Sequence, residues 1–136
     1  MAITQTQRND LVARALDARR HAYAPYSNYA VGAALLTGSG RVYSGANVEN
    51  AAYPTGMCAE RTALFHAVSE GERKFSAIAV VTQNAGMPCG ACRQALSEFG
   101  LETLVIIADA SGKIASETTL AALLPQAFLP NHLPRG

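Results

Sequence analysis

The fold is decided by residues 75–108, which read FSAIAVVTQNAGMPCGACRQALSEFGLETLVIIA. Residues 75–82 form a β-like run, and residues 103–108 are almost wholly apolar, as expected of a strand covered on both faces. Between them, residues 89–99 predict a helix that follows Pro88 and ends at Gly100. Because two parallel strands need a crossover connection, this stretch predicts the centre of an α/β sheet.

The rest of the chain supplies elements around this centre. The predicted elements are a packing helix over 8–22, a β-hairpin over 30–37 and 41–47, a helix over 58–70 capped by Gly71, and a short helix over 120–124. A turn at 109–112 leads to Ile114 and its neighbours. The order of helix, two strands, helix, strand, helix, strand and short helix predicts one domain over residues 1–136. We expect a central mixed sheet with helices packed on it.

Composition limits the classes of function. Of the 136 residues, 49% are hydrophobic and 15% are charged, which is typical of a globular protein. So few charged residues leave apolar surface on a monomer, which favours burial between the subunits of an oligomer. The formal net charge is +1 and the basic residues are scattered, which disfavours nucleic-acid binding. No segment approaches the roughly 20 apolar residues of a membrane span, and the N-terminus lacks the apolar core of a signal peptide. We therefore predict a cytoplasmic protein with a small, weakly charged substrate and no membrane contact.

Three cysteines carry the candidate chemistry. Cys58 opens one predicted helix and Cys89 opens another, and free N–H groups at a helix start favour thiolate over thiol. Cys92 lies one turn after Cys89, so the two sulfurs reach a common ion, to which Cys58 adds a third. An odd number of reduced cysteines favours a metal over a disulfide. Three protein ligands are typical of catalytic zinc, whose fourth position is left for water.

The two residues near Cys58 complete this site. Glu60 would lie close to the ion, where it could be a ligand, but a role as proton shuttle between water and substrate is the sharper interpretation. Three thiolates on Zn²⁺ leave a formal charge of −1, which weakens the metal as a Lewis acid. We hypothesise that Arg61, one helical turn from Cys58, donates hydrogen bonds to ligand sulfurs and offsets that charge.

The spacing of these residues is specific. A Cys-x-Glu motif followed by Pro-Cys-x-x-Cys is the signature of zinc deaminases in its three-cysteine form. The chain resembles the small, homotetrameric, zinc-dependent cytidine deaminases over most of its length. The segments that carry the resemblance are YAPYS (23–27), VGAAL (31–35), NVENAAY (47–53), CAERTA (58–63) and PCGACRQ (88–94).

The resemblance implies a fold, an assembly and a cofactor. They are a three-layer α/β/α sandwich, a homotetramer, and one Zn²⁺ per subunit held by Cys58, Cys89 and Cys92. It also implies that Asn47 and Glu49 bind the ribose hydroxyls. The residue types agree, because residues two apart on a strand project from one face and both side chains can hydrogen-bond to hydroxyls.

Further substrate contacts are implied by the same resemblance. Tyr29, where the family usually has Phe, lies near the nucleoside, and the backbone N–H of Ala59 holds the pyrimidine carbonyl. Phe128 matches a C-terminal Phe that reaches a neighbouring subunit's site. In the implied reaction, zinc-bound hydroxide attacks C4 of free cytidine or deoxycytidine, and Glu60 protonates N3 and then the departing amine. The products are uridine or deoxyuridine and ammonia, as in pyrimidine nucleoside salvage.

Two other functions stay open at this stage. One is a deaminase of the same fold that acts on blasticidin S or on a polynucleotide. The pair Asn47 and Glu49 and the absence of a basic stripe argue against both substrates. The other is a non-enzymatic zinc module whose cysteines only stabilise the fold, against which stand Glu60 and the missing fourth ligand. Tyr29 and Phe128 could also be ordinary packing aromatics.

Overall fold

Four α-helices and five strands make up the part of the chain that this computed structural model describes, residues 3–134, so the ends of the domain predicted over 1–136 lie outside the described residues. The helices are α1 (Gln5–Arg19), α2 (Ala59–Ser69), α3 (Gly90–Ser97) and α4 (Leu120–Leu123). The strands are β1 (Gly32–Thr37), β2 (Val42–Ala46), β3 (Phe75–Val81), β4 (Leu104–Ala108) and β5 (Ile114–Thr119). No helix within 3–134 has both the length and the apolar character needed to cross a membrane.

The strands form one mixed sheet in the order β2-β1-β3-β4-β5. Strand β1 pairs antiparallel with both β2 and β3, so the predicted hairpin is confirmed. Strands β3 and β4 are parallel, with Ile78 opposite Val105, and α3 lies in the connection between them, as the sequence of this stretch predicts. Strand β5 pairs antiparallel with β4 and adds an edge strand that the predicted order of elements does not contain.

Alternating residues of the central strands face two separate cores. On one face, Ala77 and Ala79 of β3 pack with Leu11, Val12 and Ala15 of α1. The other face packs against α2, α3 and α4, and its core contains Ile78, Val80, Leu64, Leu96 and Leu120. The sheet is therefore covered by helices on both faces, and the α/β/α sandwich implied by the resemblance is confirmed.

Helix α1 is displaced towards the N-terminus relative to the prediction of 8–22, which is wrong at both ends. The Thr4 hydroxyl accepts a hydrogen bond from the N–H of Gln7, and the Gln7 side chain accepts one from the N–H of Thr4. This reciprocal pair is a capping box, which begins the helix one turn before its apolar face.

Helix α2 approaches the hairpin closely at a glycine. A Cβ atom at Gly45 of β2 would lie 2.7 Å from the backbone nitrogen of Ala63, so only glycine allows this contact. Strand β2 runs directly into Asn47 and Glu49, while α2 begins at Ala59. The close packing therefore fixes the start of α2 relative to the segment predicted to bind the sugar.

Candidate active site

The three cysteines meet where two helices begin. Cys58 is the N-cap of α2, Cys89 is the N-cap of α3, and Cys92 lies in the first turn of α3. The Sγ atoms of Cys58 and Cys89 are 3.8 Å apart, those of Cys89 and Cys92 are 3.5 Å apart, and all three lie within 4.8 Å of one another. Zinc–sulfur bonds of about 2.3 Å in a tetrahedron place sulfurs about 3.8 Å apart, so the cluster fits zinc. It is the one such group of potential metal ligands in residues 3–134.

The protonation of these sulfurs is set by their mutual hydrogen bonds. Hydrogen bonding with Cys92, opposed by burial and reinforced by Arg61, lowers the pKa of the Cys58 thiol to about 5. Hydrogen bonding to Cys58, together with burial, raises the pKa of Cys92. The two shifts have opposite directions, which favours a thiolate at Cys58 before the metal binds. Metal binding displaces the proton that the pair retains.

Arg61 faces the sulfur cluster from the first turn of α2. Its Nη2 donates a hydrogen bond to Cys58 Sγ at 3.5 Å, and its Nε is buried with no acceptor within residues 3–134. Hydrogen bonding to Cys58 and then to Cys92 raises the pKa of Arg61, so the guanidinium stays charged beside the sulfurs. This is the contact that the hypothesis for Arg61 requires, and its effect on the metal stays a prediction.

Glu60 is buried beside the cluster, with only 4% of its surface exposed. Burial raises the pKa of its carboxyl, the charge of Cys58 adds to that rise, and Arg61 opposes it. A carboxyl with a raised pKa exchanges a proton more readily near neutral pH than an ordinary glutamate does. The position and the pKa of Glu60 both suit proton transfer, which remains a prediction for this residue.

A cavity of about 250 Å³ opens beside the cysteines. Its walls include residues from both predicted parts of the site, namely Tyr29, Asn47, Glu49, Cys58, Ala59, Glu60 and Cys89. A second cavity of about 300 Å³ shares Ser27, Asn47, Glu49 and Cys58 with the first. The structure therefore brings two of the three metal ligands, Cys58 and Cys89, and all but one of the predicted substrate contacts onto a single cavity.

The exception is Phe128, which does not line this cavity. It follows α4, is 55% exposed, and its carbonyl oxygen accepts a hydrogen bond from Gln94 Nε2 at 2.8 Å. An exposed aromatic ring outside the cavity of its own chain is compatible with the predicted contact in a neighbouring subunit. That contact stays a prediction.

The predicted sugar-binding residues are held by the segment that precedes β1. Asn47 donates from Nδ2 to the carbonyl oxygen of Tyr29 at 2.8 Å and accepts at Oδ1 from the N–H of Val31 at 2.9 Å. One amide hydrogen of Asn47 and further lone pairs of both side chains remain for a ligand. Glu49 accepts at Oε1 from the N–H groups of Tyr26 and Ser27, at 2.9 and 3.1 Å.

Ser27 belongs to the site although no sequence pattern predicts a role for it. Its hydroxyl donates to Oε2 of Glu49, and this hydrogen bond is the main reason that the pKa of Glu49 is lowered. Its place in a turn after Pro25 was the available signal, because serine hydroxyls in turns often hydrogen-bond to nearby groups. Val31, Val80, Thr82 and Met87 also line the cavity, but such residues carry no signal that separates a cavity wall from a core.

Known proteins resemble the chain over almost its whole length. The family described as the cytidine and deoxycytidylate deaminase zinc-binding region matches residues 5–108, which include the three cysteines. The cytidine deaminase of Sporosarcina psychrophila is 51% identical over 126 residues, which are 90% of this chain and 92% of that protein. The cytidine deaminase of Mycobacterium tuberculosis (strain H37Rv) is 41% identical over 129 residues, which are 93% of each chain.

The fold is likewise matched by solved structures. A crystal structure of cytidine deaminase from Burkholderia pseudomallei superposes with a TM-score of 0.83 at 47% identity. The match covers 93% of this chain and 100% of that one. The fold of this chain is therefore that of a solved cytidine deaminase over almost its whole length.

Proposed function

Because this chain belongs to the cytidine deaminase family, we propose that it deaminates free cytidine and deoxycytidine with Glu60 as the proton carrier. The chain is a zinc-dependent cytidine deaminase, a hydrolase, whose zinc site is formed by Cys58, Cys89 and Cys92. One observation carries the proposal: the buried carboxyl of Glu60 and two of the zinc cysteines lie on the same cavity as two residues suited to bind hydroxyl groups.

The reaction adds water to the C4–N3 bond of the cytosine ring and releases the amine at C4 as ammonia. When bound by the three thiolates, zinc lowers the pKa of water and so supplies a nucleophile at neutral pH. Glu60 accepts one proton of the water and delivers it to ring N3. It then takes the proton of the new C4 hydroxyl and passes it to the departing amine, so that the carboxylate is regenerated and uridine or deoxyuridine is formed.

The remaining wall residues orient the nucleoside. Ala59 is the first residue of α2, so its N–H has no acceptor within the helix and is free to hold the pyrimidine carbonyl. Asn47 and Glu49 lie two residues apart on extended chain and offer one amide hydrogen and carboxylate lone pairs to the sugar hydroxyls. Because a carboxylate only accepts hydrogen bonds, the lowered pKa of Glu49 favours binding of hydroxyl donors.

The assembly proposed for this enzyme is a homotetramer in which Phe128 of one subunit reaches a neighbouring site. Several aromatic side chains are exposed on the chain taken alone, which supports burial between subunits: Tyr23, Tyr26, Tyr53, Phe65 and Phe128. A formal net charge of +1 supports a free nucleoside as substrate over a nucleic acid. Pyrimidine nucleoside salvage in the cytoplasm is the role that fits such a reaction.

Ultraviolet absorbance tests the reaction directly. The zinc-loaded protein should convert both cytidine and deoxycytidine, lose activity with a chelator and regain it with zinc. Glu60→Gln has nearly the same shape and should retain zinc while turnover falls by roughly 10²-fold or more, because only proton transfer is removed. Near-normal turnover of that variant would remove Glu60 from the mechanism. Blasticidin S and a single-stranded oligonucleotide serve as alternative substrates, and preferential conversion of either would contradict the proposed nucleoside specificity.

A further inference from the structure

The hydroxyl of Tyr29 contacts the loop over residues 82–88, which connects β3 to α3. Its oxygen donates a hydrogen bond to Oδ1 of Asn84 at 2.7 Å. The same Oδ1 accepts from the Thr82 hydroxyl at 3.3 Å, and the N–H of Gly86 donates to that hydroxyl at 2.7 Å. Tyr29 therefore belongs to a hydrogen-bond network that includes Thr82, Asn84 and Gly86 of the loop.

The backbone is left-handed on both sides of this contact. Ala85 has φ +57° and Asn28, the neighbour of Tyr29, has φ +56°. Asparagine adopts this conformation readily, but alanine adopts it at a cost and keeps it where surrounding contacts hold it. The hydrogen bond from Tyr29 to Asn84 joins the two segments and is positioned to hold the conformation at Ala85.

Gly86 is matched to the Tyr29 hydroxyl. A Cβ atom at Gly86 would lie 2.4 Å from the Tyr29 oxygen, whereas the next atoms, from Thr82 and Asn84, are 3.5 and 3.6 Å away. Gly86 is also not among the glycines of residues 3–134 that have positive φ. A side chain at this position would therefore have to displace the Tyr29 hydroxyl, whereas the backbone conformation would tolerate it.

The loop bears on substrate binding more than on the metal. Thr82 and Met87 of the loop line the cavity, so its conformation shapes the wall that the nucleoside meets. The end of the loop is anchored separately, because Arg93 of α3 donates from Nε to the carbonyl oxygen of Pro88 at 2.8 Å. Loosening residues 82–87 should therefore leave Cys89 and Glu60 in place.

We propose that Tyr29 is a positioning residue whose hydroxyl, through Asn84, holds loop 82–88 in the conformation that binds the nucleoside. The expected change in KM rests on the proposed function, whereas the expected effect on the order of loop 82–88 does not. Without the hydroxyl, part of the substrate binding energy goes into ordering the loop. The affinity for substrate falls. The chemical step does not change, because it depends on the starts of α2 and α3, which keep their positions.

Tyr29→Phe tests this with the ring retained. We expect KM for cytidine to rise about fivefold, the size of one net neutral hydrogen bond, with kcat within about twofold and zinc content unchanged. Amide exchange in peptides that cover 82–88 should become faster. Asn84→Ala should reproduce the rise in KM and the faster exchange. Asn84→Asp should show neither effect, because it keeps the acceptor oxygen. In the double variant Tyr29→Phe/Asn84→Ala, KM and exchange should be no higher than in either single variant. Tyr43→Phe is the matched control, because that ring packs against His66 and does not line the cavity.

Gly86→Ala supplies an independent test. In the wild-type background the new methyl group meets the Tyr29 oxygen, so KM for cytidine and amide exchange in loop 82–88 should both rise. In the Tyr29→Phe background, Gly86→Ala should raise neither KM nor exchange any further. Unchanged KM and unchanged exchange in Tyr29→Phe, additive effects in the double variant, or equal damage by Gly86→Ala in both backgrounds would each overturn the proposal. If the wild type does not convert cytidine, the proposed function fails, and the exchange measurements still decide whether the hydroxyl holds the loop.

Discussion

Replacing Arg61 with alanine is expected to weaken both zinc retention and turnover. Three thiolates and Zn²⁺ have a formal charge of −1, and the guanidinium that donates to Cys58 at 3.5 Å brings the group to zero. A hydrogen bond to a charged group contributes about 1.5–3 kcal/mol, and removing a partner of a metal ligand typically costs about 10–100-fold in metal affinity or activity. We therefore expect kcat to fall about 10–100-fold and zinc to pass to a chelator faster. Arg61→Lys keeps the charge but not the planar guanidinium, so its kcat and zinc retention should lie between those of the wild type and Arg61→Ala.

The pH dependence of zinc retention gives this prediction a second measurement. Arg61 is one of the groups that lower the pKa of Cys58 to about 5, so its removal raises that pKa. Protons then compete with zinc at a higher pH, and the pH at which half of the zinc is released on acidification should rise. Arg20→Ala is the control, since that side chain is 74% exposed and forms a surface ion pair with Asp17, away from the cysteines. Wild-type turnover and zinc content in folded Arg61→Ala would refute the reasoning.

Two further predictions concern carboxyl groups of the site. In the metal-free protein, Glu60→Gln should raise the melting temperature at neutral pH, because burial raises the pKa of Glu60 in the folded state above its ordinary 4.5 and so penalises the charged form. Because the folded state binds the proton more tightly, ionising Glu60 destabilises it increasingly as pH rises above 4.5. The rise in melting temperature of Glu60→Gln should therefore vanish below pH 4.5. A rise that is equal at all pH values would contradict this explanation. Ser27→Ala removes a hydrogen bond to the Glu49 carboxylate, which should raise KM for cytidine about tenfold with kcat unchanged, and an unchanged KM would show that Ser27 does not position Glu49.

The central part of the fold could be predicted because burial on both faces leaves a strong pattern. The strands predicted over 75–82 and 103–108 are observed at Phe75–Val81 and Leu104–Ala108. The sequence does not predict strand β5, because this edge strand (IASETT) is only partly buried and lacks a run of apolar residues. The start of α1 was placed too late because its first turn is polar and is stabilised by the capping box and not by burial.

The metal site could be predicted for a different reason. Its ligands lie at the starts of two helices, where short motifs of fixed residue type determine geometry locally, and the cluster of Cys58, Cys89 and Cys92 is confirmed. Contacts across long sequence separations have no such signature. Tyr29 and Asn84 are 55 positions apart, and Ser27 and Glu49 are 22 apart, so neither pairing follows from periodicity or spacing.

These two kinds of residue divide the site into parts with different physical support. The cysteines, Glu60 and Arg61 are carried by helix starts, and α2 is fixed against the sheet by the close contact at Gly45. The residues proposed to bind the sugar and the loop over 82–88 are irregular chain held by side-chain hydrogen bonds, each of which contributes little alone. Substitutions in the first part should therefore change kcat and zinc retention, whereas those in the second should change KM.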